Sequence, residues 1–250
     1  MGKIRLWCQF MLNVFSWAHA SGYTNFGDEL NGPLVSAIAG RPVPVERKSS
    51  ATPKLLAVGT VLADWAARSG DVVWGSGSWG EPIPRGLDIR AVRGPLTAEI
   101  VAAAGYTKPK VLGDPAMLLP RFFSFPAGGG GVGYVAHHSE HFQGVKNAID
   151  VKLAPLDVVR AIVSCDLVVS SSLHGLIVAE AYGVPAVLCQ GNEVSRHPMK
   201  YRDYFLSTGR VMPRCLPVYS EAHFARALPA PVEPDLVGLL AAFPLRRSNT

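Results

Sequence analysis

A chain of 250 residues that is 48% hydrophobic and only 17% charged can bury a sizeable core, and disorder is excluded by that balance. The formal net charge of +5 is spread over scattered basic residues (Arg41, Arg47 and Lys48; Arg85, Arg90 and Arg93; Lys200 and Arg202). No basic cluster with interleaved aromatics occurs, which argues against a nucleic-acid binder and leaves either a solvated basic surface or attraction of an anionic substrate or membrane. Cys8, Cys165, Cys189 and Cys215 form no C-x-x-C pair, and Cys165 and Cys189 sit in apolar runs as small core residues, which fits a reducing compartment.

The first twenty residues carry two signals. "MGKIR" is basic, "LWCQFMLNVFSW" is largely apolar and "AHA" ending at Ala20 has the small-x-small form of a signal-peptide cleavage site. Gln9, Asn13 and Ser16 interrupt that hydrophobicity, and Ile4–Phe10 reads as the first strand of a sheet, so the expectation is a retained N-terminus. No other run approaches the roughly 20 apolar residues that span a bilayer.

Beyond this point apolar strand-like and helical runs alternate, the pattern of an α/β protein with parallel sheets. Strands are expected at Leu55–Val58, Val72–Trp74, Leu87–Val92 and Lys110–Leu112, and helices at Asp28–Ala39 and Pro95–Ala104. Pro95 suits a helix start and Gly105 a helix stop. Pro120, Pro126 and the glycines 128–131 mark a break. The alternation then resumes with strands Val132–Ala136, Ala148–Lys152, Leu167–Ser170 and Ala186–Cys189, helices Pro155–Ser164 and Leu173–Tyr182, and a terminal helix in "EPDLVGLLAAF". Two α/β halves follow, residues 1–124 and 125–250, with ligands expected at the carboxyl ends of the strands, in the crevice between them.

Polar knots fall at those strand ends. "TNFGDELN" places Asn25, Gly27 and Asp28 at a helix start, where the macrodipole favours a carboxylate. "WGSGSWG" presents Gly77 and Ser78 in a loop whose N–H groups can cradle an anion or simply make a turn. "VRGPLT" sets Arg93 beside a helix start, a site for a carboxylate or phosphate unless the guanidinium spends itself on a surface salt bridge. Asp114 in "LGDPAMLLP" reads equally as a ligand and as a turn or helix cap. The richest knot is "VVSSSLHGLIVAEAYGVPAVL". Its strand delivers serines to a helix start, where Ser171, Ser172 and free N–H groups form an anion site and the dipole keeps His174 largely neutral.

"NFGDELN", "RGPLT", "GDPAMLL", "SSSLHGLIVAEAYGVPAV" and "KYRDYFLSTG", in this order, resemble the polysaccharide pyruvyltransferase family, notably the ketal-forming enzymes of bacterial exopolysaccharide synthesis. The resemblance runs from about Asn25 to Gly209 and departs between Met11 and Tyr23, where the approach is long and aromatic-rich. It implies two Rossmann-like domains facing across a cleft (a GT-B-like arrangement), with the acceptor on the N-terminal side and the donor at the histidine motif. It further implies phosphoenolpyruvate as donor and co-substrate, a lipid-linked oligosaccharide or polysaccharide as acceptor, no metal and no organic cofactor. His174 and Arg93 take over the family's histidine and arginine, with Asp28 as the complementary proton carrier and Asp114, Lys200 and Arg202 as further binding residues. Work at the cytoplasmic face of the membrane follows, because phosphoenolpyruvate is made there. A glycosyltransferase using a nucleotide-sugar on the same fold is the alternative, and a non-catalytic sugar- or nucleotide-binding module a third reading.

Overall fold

Short, mostly apolar strands set the architecture of the computed structural model, which describes residues 13–18, 25–47, 53–142, 144–218, 227 and 234–244. The first sheet contains β1 (Asn13–Phe15), β2 (Val45–Glu46), β3 (Lys54–Leu56), β4 (Val72–Trp74) and β5 (Asp88–Ala91). All pairs are parallel and the spatial order is β2-β1-β3-β4-β5, that of a doubly wound sheet. The second sheet is also parallel, with β6 (Val132–Val135), β7 (Leu167–Ser170) and β8 (Ala186–Leu188) in the order β6-β7-β8. β3, β7 and β8 are buried at every position, as strands covered on both faces must be.

Helices connect and cover the strands: α1 (Phe26–Glu29), α2 (Asn31–Ala39), α3 (Pro95–Ala103), α4 (Pro155–Val163), α5 (Leu173–Ala181), α6 (Asn192–Arg196), α7 (Pro198–Ser207) and α8 (Leu236–Ala241). A 3-10 segment, Pro115–Arg121, packs against α5. α3, α4 and α7 each begin with proline, where a missing N–H leaves no acceptor unserved. One apolar cluster runs through Val14, Leu55 and Trp74 of the first sheet and Val135, Val168 and Leu188 of the second. α8 returns to the first sheet, where Trp74 Nε1 donates to Leu239 O at 2.7 Å and its ring meets Phe243 edge-on at 4.9 Å.

The alternation expected from the sequence is present, with three differences. The segment Ile4–Phe10 lies outside the described residues, and the strand that pairs with both β2 and β3 is Asn13–Phe15, within the long aromatic-rich approach where the family resemblance departs. Its Val14 and Phe15 are buried while the polar Asn13 is held by Glu46, so three residues suffice. Lys110–Leu112 and Ala148–Lys152 contribute only the isolated pairings Val92–Leu112 and Tyr134–Ala148. Ala148–Lys152 alternates exposed and half-buried residues, and in Lys110–Leu112 only Val111 and Leu112 pack against the core. The helix expected over Asp28–Ala39 starts two residues earlier, because Asn25 caps it by accepting from Gly27 N, and it is divided at Leu30 into α1 and α2.

Candidate active site

The order of the first sheet reverses between β1 and β3, and in such sheets the ligand crevice opens at the carboxyl ends of the two strands on either side of the reversal. A cleft of about 260 Å³ lies there. The chain leaving β1 supplies Trp17, α1 supplies Asp28, and the loop after β3 supplies Thr60, Val61 and Trp65. The second sheet aims its own carboxyl ends at the same space: His137 and His138 follow β6, Ser172 and His174 follow β7, and Glu193 follows β8.

His174 sits in the first turn of α5, whose cap is Ser172 Oγ accepting from Gly175 N at 3.4 Å. The ring is 6% exposed, and its Nε2 lies 3.5 Å from Asp114 Oδ2 without a hydrogen bond to it. Asp114 therefore does two things. Oδ1 caps the 3-10 segment by accepting from Ala116 N, and Oδ2 turns toward the histidine. On its other side the ring lies on Gly27, where any Cβ would strike Nδ1. That is a reason for glycine independent of backbone angle.

Asp28, the next residue, is fully buried and its Oδ1 has no hydrogen-bond partner. Gly59, at a φ of 125°, gives that oxygen its space, since a side chain there would meet Asp28 Oδ1. Burial pushes the Asp28 carboxyl up to about 7, with Glu29 and Asp114 adding to the rise while Lys200 and a backbone hydrogen bond from Trp17 oppose it. A carboxylic acid and an imidazole thus share one end of the cleft, each with an unpartnered polar atom.

Lys200 enters from α7 and pairs closely with Glu193, its ammonium 5.1 Å from the centre of the Trp79 ring. Burial lowers its pKa, against the opposing pull of Glu193. Burial, and then the positive charge of Lys200, push His137 down to about 2. His137 is therefore neutral at ordinary pH, and its Nδ1 is hydrogen-bonded to Ser139 Oγ at 2.8 Å. Among the described residues no group of three or more side chains has metal-ligand geometry.

Arg93 is 0% exposed, so the surface salt bridge is excluded. Its Nη1 donates to Thr60 Oγ1 at 2.9 Å on the cleft wall, Nε lies 3.5 Å from Asp203 Oδ2, and Nε and Nη2 make no hydrogen bond. The helix start beside it is not free. Asp203 of α7 accepts from Leu96 N at 2.9 Å and Thr97 N at 3.1 Å, so the anion at that site is the protein's own. Arg93→Lys is expected to be nearly as damaging as Arg93→Ala, both to melting temperature and to rate, because one ammonium cannot serve Thr60 and Asp203 from a buried fork. Wild-type kinetics and stability in the lysine variant would remove that assignment.

Several sequence expectations are corrected. The Gly77–Ser78 loop is no anion cradle: Gly77 N donates to Gly59 O at 2.9 Å and Ser78 N to Thr97 Oγ1 at 3.2 Å, and neither residue lines the cleft. Gly77 instead makes room for the Arg93 guanidinium. Ser171 is turned away from the cleft, its hydroxyl donating to Glu140 Oε2 at 2.8 Å and accepting from His137 N at 3.2 Å. Arg202 is exposed on the outer face of α7, one residue from buried Tyr201 and Asp203, and does not reach the site. Asn25, Gly27, Asp28, Asp114, Ser172, His174 and Lys200 are brought together. Sequence reasoning missed Thr60, Glu193, His137, His138 and the tryptophans, although "AHH" directly after a strand was a legible signal for the histidines.

A family model described as polysaccharide pyruvyl transferase matches residues 81–191, from Glu81 past the histidine motif. The succinoglycan biosynthesis protein ExoV of Rhizobium meliloti (strain 1021) is 31% identical over 234 residues, spanning 84% of this chain and 70% of ExoV. A crystal structure of an uncharacterized protein from Klebsiella pneumoniae superposes with a TM-score of 0.47 at 13% identity, covering 76% of this chain and 88% of that one. With an extended ExoV match and a family model lying over the helix start that holds His174, the chain belongs to the polysaccharide pyruvyl transferase family.

Proposed function

We propose that this enzyme transfers pyruvate from phosphoenolpyruvate to two hydroxyls of one sugar in a nascent polysaccharide, forming a cyclic ketal and releasing phosphate. The observation that carries the reading is the pair of proton carriers at one end of the cleft, Asp28 with its raised pKa and His174 backed by Asp114. The reaction needs two such groups. One sugar hydroxyl adds to C2 of the donor as the methylene carbon takes a proton and becomes a methyl group. Phosphate then departs from C2, and a second hydroxyl of the same sugar closes the ring. Of the two hydroxyl protons, one is balanced by the proton now on the methyl carbon and the other leaves on phosphate.

A carboxyl with a pKa of about 7 is protonated often enough near neutrality to serve the methylene carbon, so Asp28 is the acid of the first step. His174 takes the hydroxyl proton, and Asp114 steadies the imidazolium that results. Lys200, held beside Trp79, supplies positive charge to the donor's phosphate and carboxylate, and Arg93 acts through Thr60 on the same wall. No metal or organic cofactor enters this scheme. The two sheets, each turning its strand ends to one cleft, support two Rossmann-like halves arranged as in GT-B enzymes. Among the described residues no helix is long and apolar enough to cross a membrane. The acceptor in this reading is lipid-linked, presented at the cytoplasmic face where the donor is made.

The test is direct. Purified enzyme with phosphoenolpyruvate and lipid-linked saccharides from an exopolysaccharide-producing membrane should release inorganic phosphate without added metal. Release of a nucleotide from a nucleotide-sugar, with no phosphate from phosphoenolpyruvate, would establish a glycosyltransferase instead.

A further inference from the structure

We propose that Trp65 is a stacking platform for a pyranose ring and marks the acceptor subsite of the cleft. The inference rests on the saccharide acceptor of the proposed reaction and adds where, and by which face, the sugar is held.

Indole has the largest apolar surface of any side chain, and the fold buries it where it serves packing: Trp74 is completely enclosed. Trp65 is 41% exposed. Among the described residues the other exposed large hydrophobics (Val45, Leu153, Leu206, Val211 and Val237) are aliphatic, and none lines the cleft. Trp65 does line it. The ring is also fixed. Its Nε1 donates to Glu81 Oε2 at 2.8 Å, and Phe15 supports it in an edge contact at 6.3 Å and 60°. An exposed indole that served nothing would have no need of two restraints, whereas a platform must be held still before its ligand arrives, since immobilising it on binding costs affinity.

The chemistry of the surroundings selects the ligand class. A pyranose has one or two faces of polarised C–H groups and a perimeter of hydroxyls. The C–H face suits the negative face of an aromatic ring, and the hydroxyls need donors and acceptors around it. The same cleft provides the perimeter in Asn25, Thr60, His138 and Ser139. Trp65 follows β3 on the first sheet, and the histidine motif follows β7 on the second. A sugar resting on Trp65 therefore lies in the same cleft as Asp28 and His174, on the side that the first sheet supplies.

The probes are methyl β-D-glucopyranoside and methyl β-D-galactopyranoside, measured by saturation-transfer difference NMR on the intact chain. Wild type and Trp65→Phe, which keeps an aromatic face, should transfer saturation mainly to the C–H protons of one sugar face. Trp65→Ala should bind about tenfold more weakly and lose that face selectivity; it also loses the contacts to Glu81 and Phe15, so its melting temperature is measured alongside and the glycoside signal is read well below it. Equal signals from wild type and Trp65→Ala, or no transfer from wild type to either glycoside, overturn the platform. Thermal shift by phosphoenolpyruvate is measured on the same samples. A donor shift without glycoside signal removes the platform and leaves pyruvyl transfer standing; face-selective glycoside signal without a donor shift does the reverse.

Discussion

His174→Ala is expected to lower phosphate release by about 10²–10⁴-fold, the usual loss for a general acid or base. The ring is 6% exposed, packed on Gly27 and facing Asp114 Oδ2, so the alanine variant also loses packing and its melting temperature should fall. Activity and stability must therefore be separated. His174→Asn, close in size and still polar, should recover most of the melting temperature and none of the turnover. Asp114→Asn supplies the complementary control. It keeps the cap on Ala116 N and removes only the charge facing the imidazole, so kcat should drop while the KM for phosphoenolpyruvate stays near wild type. Retained turnover in His174→Asn would make the histidine a structural residue.

What the sequence disclosed and what it hid divide along a physical line. β7, the start of α5 and the cluster of Asn25, Gly27 and Asp28 were legible because each is a local pattern: a run of apolar residues, a serine cap, a glycine beside an acid. The two helix starts show the limit of that logic. Beside Arg93 a free anion site was expected, but the free N–H groups of α3 are met by Asp203, which lies more than a hundred residues away in the chain and reaches them only once α7 packs on α3. Ser171 is the same case, since its hydroxyl is claimed by Glu140 from the loop after β6. Asp114 was readable as a cap or as a ligand and proved to have one oxygen for each role, a division visible only when the 3-10 segment lies against α5. Aromatic residues hid best. Trp65 and Trp74 are alike in composition, and only the fold encloses one and leaves the other at the cleft.

Asp28→Asn is expected to cost turnover and to add stability in a pH-dependent way. The carboxyl titrates near 3.8 in an unfolded chain and at about 7 in the fold, mainly through burial. The folded state thus prefers the neutral acid. Stability from this group is complete below about 4 and is lost as pH rises through about 7, where the fold must hold an unwelcome carboxylate. Asparagine has the shape of the neutral acid and cannot ionise. The melting temperature of Asp28→Asn relative to wild type should therefore climb between about pH 4 and about pH 7 and level off above that, by an amount corresponding to a few kcal/mol. Over the same range wild-type kcat/KM should fall above about pH 7 as the acid is lost, and the variant should be slower by about 10²-fold or more at every pH. Stability conceded for activity is the mark of a buried group kept for chemistry. A melting difference that is flat with pH would show that Asp28 titrates in the fold as it does in water, and wild-type turnover in the variant would remove it from the reaction.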